Sequence, residues 1–134
     1  MLNENARAWV EALRSGKYKQ TTYALRRAGK KKDSFCCLGV ACKLYSDSVG
    51  GKWNTPQQPE LEEQISFTDD TKELKGYDLT SSIMRWLGLA TPIGKHYNIH
   101  GRTCSLVELN DEANFTFAQI AKIIESEPKG LFDK

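Results

Sequence analysis

The sequence predicts one α+β domain over residues 1–134, mainly helical, with three to four helices around a buried central helix and a small β-hairpin or short sheet. Three observations carry this: an amphipathic pattern at each end of the chain, a dense apolar run at Phe35–Tyr45, and Gly-, Pro- and Asn-punctuated stretches between them.

Near the N-terminus, Ala6, Trp9, Val10, Ala12 and Leu13 fall at three-and-four spacing, with Asn3 or Asn5 as the cap and Gly16 as the stop. KYKQTTYALRRAGKKKD follows, a loop or short strand leading into a basic loop. Phe35–Tyr45 is too densely apolar for a solvent-facing helix and too long for most strands, so it reads as the buried central helix, capped by Ser34. Gly39 inside it costs about 1 kcal/mol relative to Ala, which points to a close contact there. Gly50–Pro59 is loop material. Gln64–Thr68 reads as a strand, followed by a turn at Asp69–Thr71. Thr80 or Ser81 caps a short helix ending at Gly88, and residues 91–104 form a loop with a hairpin strand. The last helix starts at Thr116, whose spacing to Gln119 is that of a capping box, and buries Phe117, Ile120, Ala121, Ile123 and Ile124.

At 134 residues the chain can bury roughly two-thirds of its unfolded surface without metal or disulfide staples. No apolar run reaches the length of a membrane span, and the N-terminus lacks the basic-then-apolar order of a secretion signal. The expected setting is the cytoplasm, with the four cysteines as thiols. Net charge is only +2, but residues 1–45 carry ten Lys and Arg against three Asp and Glu, and the remainder nine against fourteen. The basic third could therefore hold an anion.

The cysteines admit three readings. Zinc sites present ligands in pairs two to four residues apart, whereas Cys36 and Cys37 are adjacent, Cys104 has no paired cysteine, and Asn98 and Gly101 spoil a helix through His96 and His100. Cys36 or Cys37, then His96 or His100, then Asn110 or Asp111 repeats the chain order of a papain-like hydrolase. The third reading, small buried hydrophobes packing the central helix, fits the apolar surroundings best.

WVEALRSGKYKQ, ALR, FCCLGVACKLY, MRWLGL and LNDEANFTFAQIAKIIE together resemble a widespread set of small proteins from tailed-phage and bacterial genomes. The likeness covers most of the chain except Gly50–Leu74 and Ala90–Arg102, and it leaves both histidines outside the shared blocks. It implies a phage origin. Many small phage proteins of known role counter host immunity, some by sequestering cyclic nucleotide signals. Tyr23 stands where many members carry a small residue, altering any pocket there.

Packing accounts for the shared apolar residues but not for Tyr18, Gln20, Arg26, Asn110 and Asp111. These offer a ring to stack, amides for base edges and a guanidinium for phosphate. The expected function is capture of a cyclic di- or oligonucleotide without catalysis, cofactor or metal, by a homo-oligomer. Arg14, Arg26 and Arg27 would lie near phosphates, Tyr18 or Tyr23 against a base, and Gln20, Asn110 and Asp111 beside them. No Gly-rich phosphate loop or helix-turn-helix signature favours an NTPase or a nucleic-acid binder. The competing expectations are a protein inhibitor of a host defence enzyme, acting through the basic face, and the cysteine hydrolase.

Overall fold

The computed structural model describes residues 2–55, 64–69, 72, 74–76 and 78–133. Helix α1 runs Glu4–Arg14, its first turn capped by the Asn3 side chain, which accepts the Ala6 N–H at 2.8 Å. Three two-residue strands follow: β1 (Lys19–Gln20), β2 (Arg26–Arg27) and β3 (Ser34–Phe35). Helix α2 (Cys37–Ser48) leads to β4 (Lys52–Asn54), β5 (Gln64–Thr68) and β6 (Leu74–Lys75). Helix α3 (Ser81–Leu87) precedes the hairpin of β7 (Lys95–Tyr97) and β8 (Thr103–Ser105), and α4 (Leu106–Asp111) and α5 (Phe117–Glu125) complete the order.

The fold is α+β, but the expectation of a mainly helical domain with a small sheet is overturned. The five helices accompany a six-stranded sheet in the order β1-β3-β2-β5-β4, with β6 also on β5, besides the separate β7–β8 hairpin. β1 pairs with β3 in parallel, and the other strands pair antiparallel. The reason is length. A two-residue strand shows no alternation of apolar and polar residues. The sheet is held by long-range pairing, such as Arg26 opposite both Phe35 and Ile65, which the local sequence does not display.

Helix α2 is the centre of the core: Cys37, Leu38, Gly39, Val40, Ala41 and Cys42 are sealed from solvent. Its cap is Cys36, whose sulfur accepts the Gly39 N–H; the expected cap, Ser34, is in β3. Gly39 has a specific reason, since a Cβ there would run into the carbonyl oxygen of Leu25. The backbone at Leu25, just ahead of β2, thus lies directly on the helix. Trp9 of α1, fully buried, donates its indole N–H to the Cys37 carbonyl at 2.9 Å and ties α1 to the opening turn of α2. Helix α5 packs along α1 and carries the Thr116/Gln119 capping box. Gly88 ends α3 with a left-handed φ of 82°, as its position predicts. β4 falls within the stretch expected to be loop, whose residues 56–59, like residues 70 and 71 of the expected turn, lie outside the described residues.

Two features bear on the site. Asn110 and Asp111 are the last two residues of α4. Residues 129–133 clasp the hairpin and the end of α3: Tyr97 N–H donates to the Lys129 carbonyl, Ala90 N–H to the Leu131 carbonyl, and Asp133 N–H to the Gly88 carbonyl.

Candidate functional site

The polar residues expected to bind a ligand are drawn into two kinds of internal contact. Asn110, only 1% exposed, sits at the hub of the first. Its Oδ1 accepts from Gln20 Nε2 at 2.9 Å and from the Cys37 N–H at 3.1 Å, while its Nδ2 donates to the Thr21 carbonyl and to Asp111 Oδ1, both at 2.8 Å. Gln20 also donates to the Phe115 carbonyl, and the Tyr23 N–H to Asp111 Oδ1. One buried amide therefore joins the loop after β1, the start of α2 and the end of α4. Gln20, Asn110 and Asp111 are brought together as expected, but as a knot that satisfies buried backbone groups.

The three arginines do not converge on one anion pocket. Arg14 forms a two-pronged pair with Glu125 of α5, at 2.9 and 2.6 Å. That pairing pushes its pKa up and holds the Glu125 carboxyl below the usual range. Arg26 donates Nε and Nη2 to Asp33 Oδ2 at 2.9 Å, and its guanidinium lies 5.0 Å from the Phe35 ring centre and 4.9 Å from that of Trp53. It is a cation held between rings in the sheet. Arg27 donates to the Thr22 carbonyl. The physical reason is local: each guanidinium meets an acceptor from its own fold before any ligand arrives. Tyr18 stands edge-on to Phe35 at 5.6 Å, and Tyr23 is 55% exposed with a left-handed φ of 60°.

Cys36, Cys37 and Cys42 are buried free thiols. Burial pushes Cys36 up to about 12 and the other two well above the ordinary thiol range. Cys37 donates its S–H toward the Leu106 carbonyl at 3.7 Å. Of the expected triad's histidines, His96 has its ring nitrogens on the Gly94 carbonyl and the Cys104 sulfur and not on Cys36 or Cys37. Among the described residues no group of three or more His, Cys, Asp or Glu is placed to hold a metal ion.

An open concavity adjoins this knot, since Leu109 and Phe115 belong to its lining. A groove of about 940 Å³ runs between the β7–β8 hairpin, α4, α5 and the segment after it, at the upper end of small-molecule site volumes of about 300–1,000 Å³. Tyr97, Ile99, Leu109, Phe115, Ile123 and Pro128 give it a mainly apolar lining. Ile99 is 96% exposed, and Lys129 Nζ lies 5.7 Å above the Tyr97 ring. His96 and Cys104 stand directly opposite each other in the hairpin register, both on its wall. Their Nε2 and Sγ are 3.1 Å apart. The sequence held one signal for this pairing: a His and a Cys eight residues apart around Asn98 and Gly101, which become partners once a hairpin is drawn through them.

No described helix is long and apolar enough to cross a membrane. No curated protein and no solved structure matches the chain. Residues 1–128 match the family described as Domain of unknown function (DUF8296), and with nearly the whole chain covered, the protein belongs to that family.

Proposed function

We propose that the protein is a ligand-capture protein whose site is the hairpin groove, binding a small organic molecule with an apolar or ring-bearing body without turning it over. The observation that carries this is the groove itself: about 940 Å³ walled by Leu109, Phe115, Ile123 and Tyr97, with the Lys129 ammonium at the edge for an anionic group. The phage setting implied by the sequence resemblance makes a host metabolite or signal the first class to test. Capture in a host cytoplasm needs affinity rather than chemistry, and a second copy of the chain covering exposed Ile99 would enclose the ligand further.

The test is thermal shift followed by titration calorimetry, with a panel of medium-chain carboxylates, aromatic acids and cyclic dinucleotides. A ligand at 100 times its Kd adds about 2.7 kcal/mol and raises Tm by about 7–10 °C. Ile123→Trp, which fills the groove, should abolish the rise. A stabilising ligand unaffected by Ile123→Trp would place the site elsewhere, and silence across the panel would count against capture.

A second reading keeps the cyclic di- or oligonucleotide and moves it to the lysines. Lys17, Lys19, Lys30, Lys31 and Lys32 are all exposed, and Lys32 Nζ reaches the Lys17 carbonyl at 3.4 Å, bringing the two lysine segments side by side. Such a patch suits phosphates, or the acidic face of a host enzyme. Binding there should weaken steeply with salt and survive Ile123→Trp.

A further inference from the structure

We propose that Cys104 is a nucleophile assisted by His96, and that it takes an acyl group from an acyl thioester whose aliphatic chain lies in the groove. This rests on the reading of the groove as the ligand site and goes beyond capture by affinity: one acyl group passes to each chain, with no turnover.

The argument begins with the imidazole. His96 is 2% exposed, and its Nδ1 lies 2.9 Å from the Gly94 carbonyl oxygen. A carbonyl only accepts, so Nδ1 carries the proton and Nε2 presents its lone pair to the Cys104 S–H, 3.1 Å away. The Gly94 carbonyl is itself fixed by the Leu106 N–H at 3.1 Å. Gly94 has a left-handed φ of 70°, and the Leu106 side chain fills the space its Cβ would need. Nucleophile, base and the group that orients the base are thus in sequence, the arrangement by which weak nucleophiles are activated. Among the described residues, the sulfurs of Cys36 and Cys37 instead meet the Gly39 N–H and the Leu106 carbonyl.

Partial burial and the charge of Glu108 push the Cys104 thiol up, so at rest it is protonated and its attack needs a base at hand. The groove selects the electrophile. Beside the sulfur are aliphatic and aromatic walls, Leu109, Phe115 and Ile123, which fit a hydrocarbon chain. In thioester exchange the Cys104 Sγ–C bond forms at the acyl carbon and the donor's C–S bond breaks. The sulfur's proton passes through His96 Nε2 to the departing thiolate. A protein thiol and an acyl thioester become a protein thioester and a free thiol, with no oxidant, reductant or metal required.

The experiment incubates the full chain with the octanoyl thioester of N-acetylcysteamine and follows intact mass. One octanoyl group per chain should appear, be released by neutral hydroxylamine, map to Cys104 and vanish in Cys104→Ser. His96→Gln, checked for folding by circular dichroism, should slow acylation about 100-fold. Should that variant unfold, Ile123→Trp supplies the second arm: it should slow octanoylation at least about 10-fold more than acetylation by the acetyl thioester of N-acetylcysteamine, the ratio of the two rates being the readout. Acylation of Cys104 no faster than that of free N-acetylcysteine, or unaltered by folded His96→Gln, would overturn the proposal, as would an octanoylation rate indifferent to Ile123→Trp. The unreactive octanoyl amide separates the two claims. If it raises Tm while the thioester transfers nothing, the groove stands and the nucleophile falls; if neither acts, both fall.

Discussion

Cys37 and Cys104 are the same residue in opposite circumstances. Cys37 opens α2 inside the core, its N–H on Asn110 and its sulfur toward the Leu106 carbonyl, with burial driving its pKa well up. Cys104 stands on an antiparallel hairpin at the wall of a groove, facing an imidazole. Around Cys37 every polar partner is already engaged within the chain, so the region gives stability and no vacancy for a ligand. Around Cys104 the partner is a base, and one side is open. A cysteine's use follows from what its neighbours leave unsatisfied.

The comparison breaks most visibly under alkylation. Folded protein treated with iodoacetamide should be labelled at Cys104, with Cys36, Cys37 and Cys42 protected at least about 1,000-fold, since they react only through unfolding against roughly 5 kcal/mol or more. Peptide mapping over time checks this, and early labelling of Cys37 would erase the distinction. Next in size, Asn110→Ala strands the Cys37 N–H and the Thr21 carbonyl and takes one of two acceptors from the Gln20 amide. It should cost about 3 kcal/mol, or about 10 °C in Tm, while the Cys104 labelling rate of the folded variant stays unchanged.

Alkali sharpens the contrast by degrees. Above the ordinary thiol pKa of 9.0 the unfolded chain releases the protons of the three sealed cysteines, whereas the folded chain holds that of Cys36 to about 12 and keeps those of Cys37 and Cys42 well past the ordinary value. The unfolded state then binds fewer protons, so stability is intact below pH 9 and falls as pH rises toward 12, by roughly 1 kcal/mol per unit for each thiol. Urea melts at pH 8 and 10 should show the loss, and Cys42→Ala should remove about a third of the cysteine share. Arg14→Ala should do least. Its pair with Glu125 is exposed, so the melting midpoint at neutral pH should barely move. What the pair contributes is present above the carboxylate's unfolded pKa and lost as pH falls through its lowered folded value.

Elements that depend on local chemistry were readable from the sequence. Asn3, Thr80 and Thr116 cap the helices that follow them, Gly88 ends α3, and Gln64–Thr68 alternates in burial as a half-covered strand should. Elements that depend on distant partners were not. Arg26 and Arg27 look like loop cations until β3 and β5 close on either side, and Phe35 and Trp53 then claim the Arg26 guanidinium. The amides of Gln20 and Asn110 look like ligand contacts because nothing local shows that they bond each other across ninety positions. His96 and Cys104 were hidden for the opposite reason: each was weighed against the cysteines of α2, while the partner lay eight residues away across a turn.

The clasp across the hairpin ties the groove to translation. Tyr97, Ala90 and Gly88 take their backbone partners from Lys129, Leu131 and Asp133, so a ribosome must release those residues before these bonds can close. The core around α2 can assemble on the emerging chain while the thiol-bearing wall waits. A protease clipping that short stretch would free the backbone groups of Tyr97, Ala90 and Gly88 while leaving the α2 interior standing.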